Sequence, residues 1–389
     1  MDNISKHKER VSENRRAWVE IDLSALEHNI SEIRSVVCHD GKQWMLMVKG
    51  NAYGHGLVEV SKLAEKLGTE FLGVSYFEEA RELRDAGLKT PILMFTEPDK
   101  PDFNYLKDNT IVPVVSSLVF LEKVVAWGAS SQEPLSIHVK IDTGLGRFGF
   151  NSESVNQIIP ILKRMRGISV DGLLTHYSAG NANHNKMREQ LASFMTIVSR
   201  LNSEADIKPK YIHASNSAAA IWLEEGQTNL VRLGLAAYGL EPSVEKKFPV
   251  PLRQGFQWKA KVVSARVCKK AEAVGYGGDW VAQRDSRIGV ISIGYADGMR
   301  RAPSELREIL CRGMRVPLIS KPMMSHSLVD LTELPDIVAG EEVVLIGHQG
   351  RERITFEEVA DALGTINEEV VVAVPSSVPR MYHLSGSVV

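Results

Sequence analysis

From residue 18 onward the chain alternates short apolar runs with amphipathic segments of helical period. "WVEIDL" reads as a strand, and "SALEHNISEIRSVV" behind it as a helix, with Ser24 and Glu27 at capping-box spacing. Strand-like runs then recur as "WMLMVKG", "FLGVSY", "PILMFT", "IVPVVSS", "LSIHVKID", "ISVDGLLTHYS", "YIHASNS" and "NLVRLGL". Amphipathic stretches such as "LVEVSKLAEKLG" and "FEEARELRDAG" separate most of them. Strands alternating with helices pair in parallel through crossover connections. About eight such units over roughly 230 residues have the period and span of a (β/α)8 TIM-type barrel. An open doubly wound sheet shares the pattern, but no Gly-x-Gly-x-x-Gly turn follows an early strand, which favours the barrel.

Past about residue 245 the character changes. "FQWKAKVVSARVCKKAEAVGYGGDWVAQRDSRIGVISIGYADG", "MRVPLIS", "HSLVDLT" and "EEVVLIGHQG" mix Val, Ile and aromatic residues with polar positions and Gly or Asp turns. That is the pattern of antiparallel β-structure. One short helix is expected at "TFEEVADALGT". The expected organisation is therefore a loose tail over 1–15, a barrel over 16–245 and a predominantly antiparallel β-domain over 246–389.

Composition narrows the function classes. The 389 residues suffice for a large barrel with a second domain, and 44% hydrophobic with 24% charged residues is ordinary for a globular protein. A formal charge of −2 offers no basic excess for a nucleic-acid backbone. The polar start "MDNISKHKERVSENRR" lacks the apolar core of a signal peptide, and no later run approaches membrane-spanning length, so neither a membrane nor a nucleic-acid partner is expected. Cys38, Cys268 and Cys311 are far apart and without metal-ligand spacing, so no metal site is expected and a reducing, cytoplasmic setting fits best.

Parallel barrels carry their chemistry at the C-terminal strand ends. Just past predicted strand ends stand Lys49, Lys140, Arg147, His176, Asn216 with Ser217, and Arg232. Each alone has an ordinary explanation: a solvated lysine, a core histidine, an ion-paired arginine. Independent decoration would not collect them on one rim. Lys49 closes an apolar run, either as a simple strand-end lysine or as an amine held for covalent chemistry with a carbonyl cofactor. Ser217 at a strand-to-helix junction and Gly234 just after a strand offer donors suited to phosphate, while each also reads as a plain cap or turn residue.

"MVKGNAYGHG", "KIDTGLGRFGF", "GLLTHYS", "SNSAAA", "NLVRLGLAAYGL", "VGYGGDW" and "IGYADG" together resemble the motif series of alanine racemase, a fold-type III pyridoxal-phosphate enzyme family. The likeness runs in family order from about residue 18 to 380. It implies an isomerase that interconverts L- and D-alanine with pyridoxal 5′-phosphate, as a cytoplasmic homodimer with shared active sites that supplies D-alanine for peptidoglycan. It also implies that Lys49 bears the cofactor and acts as one base. Tyr276, from the partner subunit, would be the second, made competent by His176 and its neighbours. Arg232 would face the pyridine nitrogen. Tyr53, Ser217, Gly234 and the Leu235 backbone would hold the phosphate, with His176 and Asn216 also on the cofactor. Arg147 and Met324 would bind the substrate carboxylate, and Lys140 would steady Arg147 as a carbamate. Tyr295 and Arg301 would form the access corridor.

Two departures stand out. Relatives usually carry Cys-Met-Asp-Gln where this chain has Met323, Met324, Ser325 and His326, so an acidic residue has become Ser325. Ser376 stands where some relatives place a phosphate-contacting tyrosine. The rival readings are a broad-specificity or other amino-acid racemase of the same family and a non-catalytic pyridoxal-phosphate-binding protein.

Overall fold

The computed structural model describes residues 16–39, 41–178, 183–223, 226–241, 248–301 and 308–388. The expected tail over 1–15 lies outside them. The chain divides into two compact units. One comprises Ala25–Tyr53 and Leu57–Arg253. The other comprises the described residues up to Ser24, Gly54–Gly56 and those from Gln254 onward.

The first unit is a parallel barrel. Numbering strands along the chain, β1 is Ala17–Asp22, and the barrel is built from β2 (Gln43–Met47), β3 (Phe71–Val74), β4 (Ile92–Met94), β5 (Ile111–Val115), β6 (Leu135–Lys140), β7 (Ile168–Leu174), β8 (Tyr211–His213) and β9 (Leu230–Leu233). Neighbours from β2 to β8 pair in chain order, and β9 returns to β2, with Met45 opposite Arg232. Between β8 and β9 the ring is joined by a bridge from Asn216 to Arg232 and the Asn229 N–H donating to the Ile212 carbonyl at 3.0 Å. The strands are mainly apolar because both faces are buried, with His138, Lys140, His213 and Arg232 as buried polar exceptions. The interior is filled by Met45, Met47, Phe71, Leu93, Val112, Val114, Leu174, Tyr211 and Leu230.

The second unit is mainly antiparallel. Its central strand is β10 (Phe256–Cys268), thirteen residues long and broken by register shifts after Trp258 and Val262. These let β10 serve partners on both sides. The pairings from β10 through Ser286–Ile291, Ser327–Asp330, Met314–Ile319, Glu308–Cys311 and Glu342–Gln349 return to β10, so this sheet closes on itself. Among the described residues no helix is long and apolar enough to cross a membrane.

Three expectations are corrected. The "WVEIDL" strand, assigned to the 16–245 barrel, belongs to the second unit. There it pairs antiparallel with Phe256–Ala260 and parallel with Arg380–His383. Besides the expected helix, found at Phe356–Leu363, a second spans Asn367–Val372. The helix Leu23–Val37 starts one residue before Ser24, whose N–H donates to Asp22 Oδ1 at 2.8 Å, so Asp22 takes the capping role given to Ser24.

Candidate active site

Lys49 stands two residues past the end of β2, after Val48, and is half-buried. Behind it the backbone makes a left-handed turn, with φ of 63°, 56°, 51° and 51° at Gly50, Asn51, Ala52 and Tyr53. Such a conformation costs about 1–2 kcal/mol for each residue other than glycine. The turn persists because hydrogen bonds over-determine it. Ala52 N–H donates to the Val48 carbonyl (2.7 Å), Leu57 N–H to Asn51 Oδ1 (2.8 Å) and Gly50 N–H to Glu79 Oε1 (2.7 Å).

The turn brings Tyr53 against the segment that follows β9, the strand paired with β2. Its phenol stacks on Tyr238 at 4.9 Å, and the Tyr238 hydroxyl donates to the Met47 carbonyl at 2.7 Å. Burial pushes the Tyr238 phenol well above its ordinary pKa. A Cβ on Gly234 would come within 3.2 Å of the Tyr53 hydroxyl, so the missing side chain keeps that space open. Gly234 N–H donates to Ser217 Oγ at 3.0 Å, and Leu235 opens the short turn that follows. Asn216 caps the next helix by accepting from Ala219 N–H at 2.9 Å. Tyr53, Ser217, Gly234 and Leu235 thus form one cluster of hydroxyl and backbone donors.

Arg232 is buried and heavily engaged. It donates to Ala214 O (2.5 Å), Thr175 O (3.0 Å), His213 Nδ1 (3.0 Å) and His176 Nδ1 (3.3 Å). His213 in turn meets His138 at 3.0 Å. Burial first, then the charges of Arg232, Lys140, Arg147 and Lys49, push His176 down to about 3. Burial, then Arg147 and Arg232, push Lys140 down to about 8. Asp142 acts on Lys140 in the opposite direction, but its carboxylate is committed to the backbone N–H groups of Gly144, Leu145 and Gly146. Arg147 lies exposed at the end of that loop, and both its guanidinium and the Lys140 ammonium approach the Phe148 ring. Four cations therefore act on one another at the barrel, and among the described residues Asp142 is the acid that opposes them at Lys140. This suits an anionic ligand carrying phosphate and carboxylate groups. Together with an amine at a strand end, the donor set fits pyridoxal 5′-phosphate.

The remaining candidates lie in the second unit. Tyr276 stands at the tip of a hairpin in which Val274 pairs with Trp280. At Gly275 (φ 85°) a Cβ would strike Ser320 and Asp279, so only glycine turns the chain here. The loop 321–326 gathers the others. Lys321 N–H donates to Asp279, Tyr295 N–H to Met323 O (2.9 Å), Ala296 N–H to Met324 O (2.9 Å) and Arg301 to Pro322 O (2.6 Å). Tyr276, Tyr295 and Met324 are all solvent-exposed. Ser325 is exposed in the same loop. Ser376 sits apart, on a turn whose carbonyls at Val374, Pro375 and Val378 accept from Arg380.

The sequence reading missed Glu79, His138 and His213. Glu79 looks like an ordinary acid in the first turn of a helix. For His138 a signal existed: two residues before Lys140 on one strand, it must share that lysine's face.

Comparison with known proteins bears on the whole chain. The family description "Alanine racemase, N-terminal domain" matches residues 21–242, and "Alanine racemase, C-terminal domain" matches 255–382. An alanine racemase of Methanococcus maripaludis is 36% identical, covering 94% of this chain and 98% of the relative. One of Halothermothrix orenii is 34% identical, covering 95% and 97%. The crystal structure of alanine racemase from Bacillus anthracis with bound L-Ala-P aligns with a TM-score of 0.89 and 32% identity, over 96% of this chain and 97% of that one. The chain belongs to the alanine racemase family of pyridoxal-phosphate-dependent isomerases.

Proposed function

We propose that this alanine racemase exchanges the Cα proton between two bases, Lys49 Nζ on one face and the phenol oxygen of Tyr276 of the partner subunit on the other. The carrying observation is that Lys49, Lys140, Arg147 and Arg232 act on one another, opposed at Lys140 by Asp142. Bound pyridoxal 5′-phosphate supplies an aldehyde for the amine and a conjugated ring that accepts the electron pair left at Cα. Lys49 would hold it covalently. Tyr53, Asn216, Ser217, Gly234 and Leu235 would hold its phosphate end, with Ser376 as a further contact. Two bases are needed because a single base tends to return the proton to the face it came from.

Arg232 would offer the ring nitrogen a donor yet keep its own proton. This limits ring protonation and favours return of the proton to Cα. His176 accepts from Arg232 through Nδ1, so as a neutral ring it carries hydrogen on Nε2. A donor of that kind would orient the phenol oxygen of Tyr276 of the partner subunit and stabilise charge on it. Arg147 and Met324 would bind the substrate carboxylate, and Tyr295 with Arg301 would narrow access. Burial and neighbouring cations favour the neutral amine of Lys140. That amine can add to carbon dioxide, releasing a proton and leaving a carbamate anion to steady Arg147. Homodimerisation, a cytoplasmic location and supply of D-alanine for peptidoglycan complete the reading. A wider amino-acid range is the second reading, favoured by exposed Ser325 where relatives usually carry an acid.

Borohydride reduction of the holoenzyme followed by peptide mapping tests the central claim. The reduced cofactor is expected on Lys49. Reduction that marks another lysine, or none, rejects the assignment.

A further inference from the structure

We propose that Glu79 is a positioning residue that sets the aim of the Lys49 amine by latching the left-handed turn behind it. The inference rests on the reading of Lys49 as the cofactor-bearing lysine. Glu79 is the third residue of the helix Phe77–Asp85, where an acid ordinarily serves the helix start. One of its oxygens does so: Oε2 accepts from Ser75 N–H at 2.8 Å and from Tyr76 N–H at 3.1 Å. The other is committed elsewhere, since Oε1 accepts from Gly50 N–H, 29 positions upstream. Capping has no use for that second bond.

Lys49 is thereby flanked by a held peptide on each side, one of them held by Glu79. Val48 N–H donates to the Gly73 carbonyl at 2.8 Å, which makes Val48 the last residue anchored to the neighbouring strand. Lys49 comes next, and the peptide joining it to Gly50 is the one whose N–H Glu79 holds. Fixing that peptide plane restrains the Lys49 ψ, and with it the direction in which the Cα–Cβ bond leaves the backbone and the side-chain rotamers open to it. Gly50 (φ 63°) is the natural place for the turn to relax, because glycine populates several backbone regions at little cost. The strained residues Asn51, Ala52 and Tyr53 follow directly, so releasing Gly50 frees the turn from its anchored end.

The test compares Glu79→Ala with Glu79→Gln, whose single amide oxygen can keep the two cap bonds from Ser75 and Tyr76 but then turns its NH2, a donor, toward the Gly50 N–H. In the cofactor-free protein, competitive acylation across pH with peptide mass analysis reports the reactivity of Lys49 against every other lysine. Both variants are expected to change the Lys49 profile alone, with Glu79→Gln doing so while the helix cap, and with it most of the stability, is kept. In the holoenzyme, Glu79→Ala is expected to lower kcat roughly ten- to hundredfold, the range for a lost hydrogen bond to a charged group, with a smaller change in KM. A lower melting temperature with an unchanged Lys49 profile and unchanged kcat would mean that Glu79 only caps its helix, and would overturn the proposal. Should Glu79→Ala not fold, amide exchange at Gly50 in the unaltered protein decides. Slow exchange supports the latch, and exchange at the rate of an open loop rejects it. Borohydride marking of Lys49 in the unaltered holoenzyme separates the two ideas: failure there removes the site reading, whereas success with a Glu79-insensitive Lys49 removes only the latch.

Discussion

Arg232 is permanently charged and donates to His213 Nδ1, so the hydrogen of that imidazole must sit on Nε2, where it faces His138 Nδ1. His138 then carries its own hydrogen on Nε2, a buried atom with no hydrogen-bond partner among the described residues, beside the rings of Phe71 and Tyr211. One guanidinium thus orders the tautomers of two rings. Burial pushes His138 down to about 3, and burial with Arg232 pushes His213 in the same direction. His176 is likewise pushed down to about 3. An unfolded histidine takes up its proton near pH 6.5, so between that pH and about 3 the unfolded chain binds more protons than the fold. The stability these neutral rings contribute is complete above 6.5 and is lost as pH falls through the window. Each ring that stays neutral in the fold adds about 1.4 kcal/mol per pH unit to the slope of that loss. Urea unfolding of His138→Asn across the acid range is expected to show this slope reduced by about one proton. An unchanged slope would mean that the folded protein already protonates His138.

Where β6 and β7 pair, His138 lies opposite Gly172. A Cβ on Gly172 would stand 2.4 Å from three atoms of the His138 ring, so this glycine makes room for the imidazole in the barrel. Gly172→Ala is expected to cost about 1–3 kcal/mol, the usual range for overpacking. In a double-mutant cycle, His138→Ala should relieve most of that cost, whereas additive effects would show that the methyl group is accommodated elsewhere. Elements of this kind divide into what local pattern reveals and what it cannot. The eight barrel runs were readable because burial on both faces makes each a near-continuous apolar stretch between helices of period 3.6. The partner of β1 was not, since its alternation fits any half-buried sheet and it pairs with β10 more than two hundred positions later. Asn367–Val372 contains three valines, whose β-branching argues against helix, so tertiary packing overrides local preference there. The lysine, the arginines and the Tyr276 hairpin stood out because their motifs are local. Glu79 did not, because its second bond reaches another loop.

At the scale of the whole molecule the exposed loops of the second unit call for an explanation. Tyr276 is 73% exposed, Met324 60% and Tyr295 42%. A single exposed apolar residue is unremarkable. Here several lie on loops tied together by backbone hydrogen bonds through 321–326, a preorganised surface of the kind that assembly covers. If Tyr276 serves the barrel of the partner subunit, each active site is a joint product of two chains, and genetics can read that directly. Lys49→Ala and Tyr276→Phe are each expected to be inactive as homodimers. In a mixed dimer one site receives both altered residues and the other receives neither. Random exchange of subunits makes half the dimers mixed, each with one intact site of two, so activity should return to roughly a quarter of the unaltered level. Recovery should follow the fraction of mixed dimer isolated through two different affinity tags. Were the phenol to serve its own chain, no combination would reunite Lys49 with Tyr276. Activity would then stay at the sum of the two inactive parents however completely the subunits exchange, and the shared site would have to be abandoned.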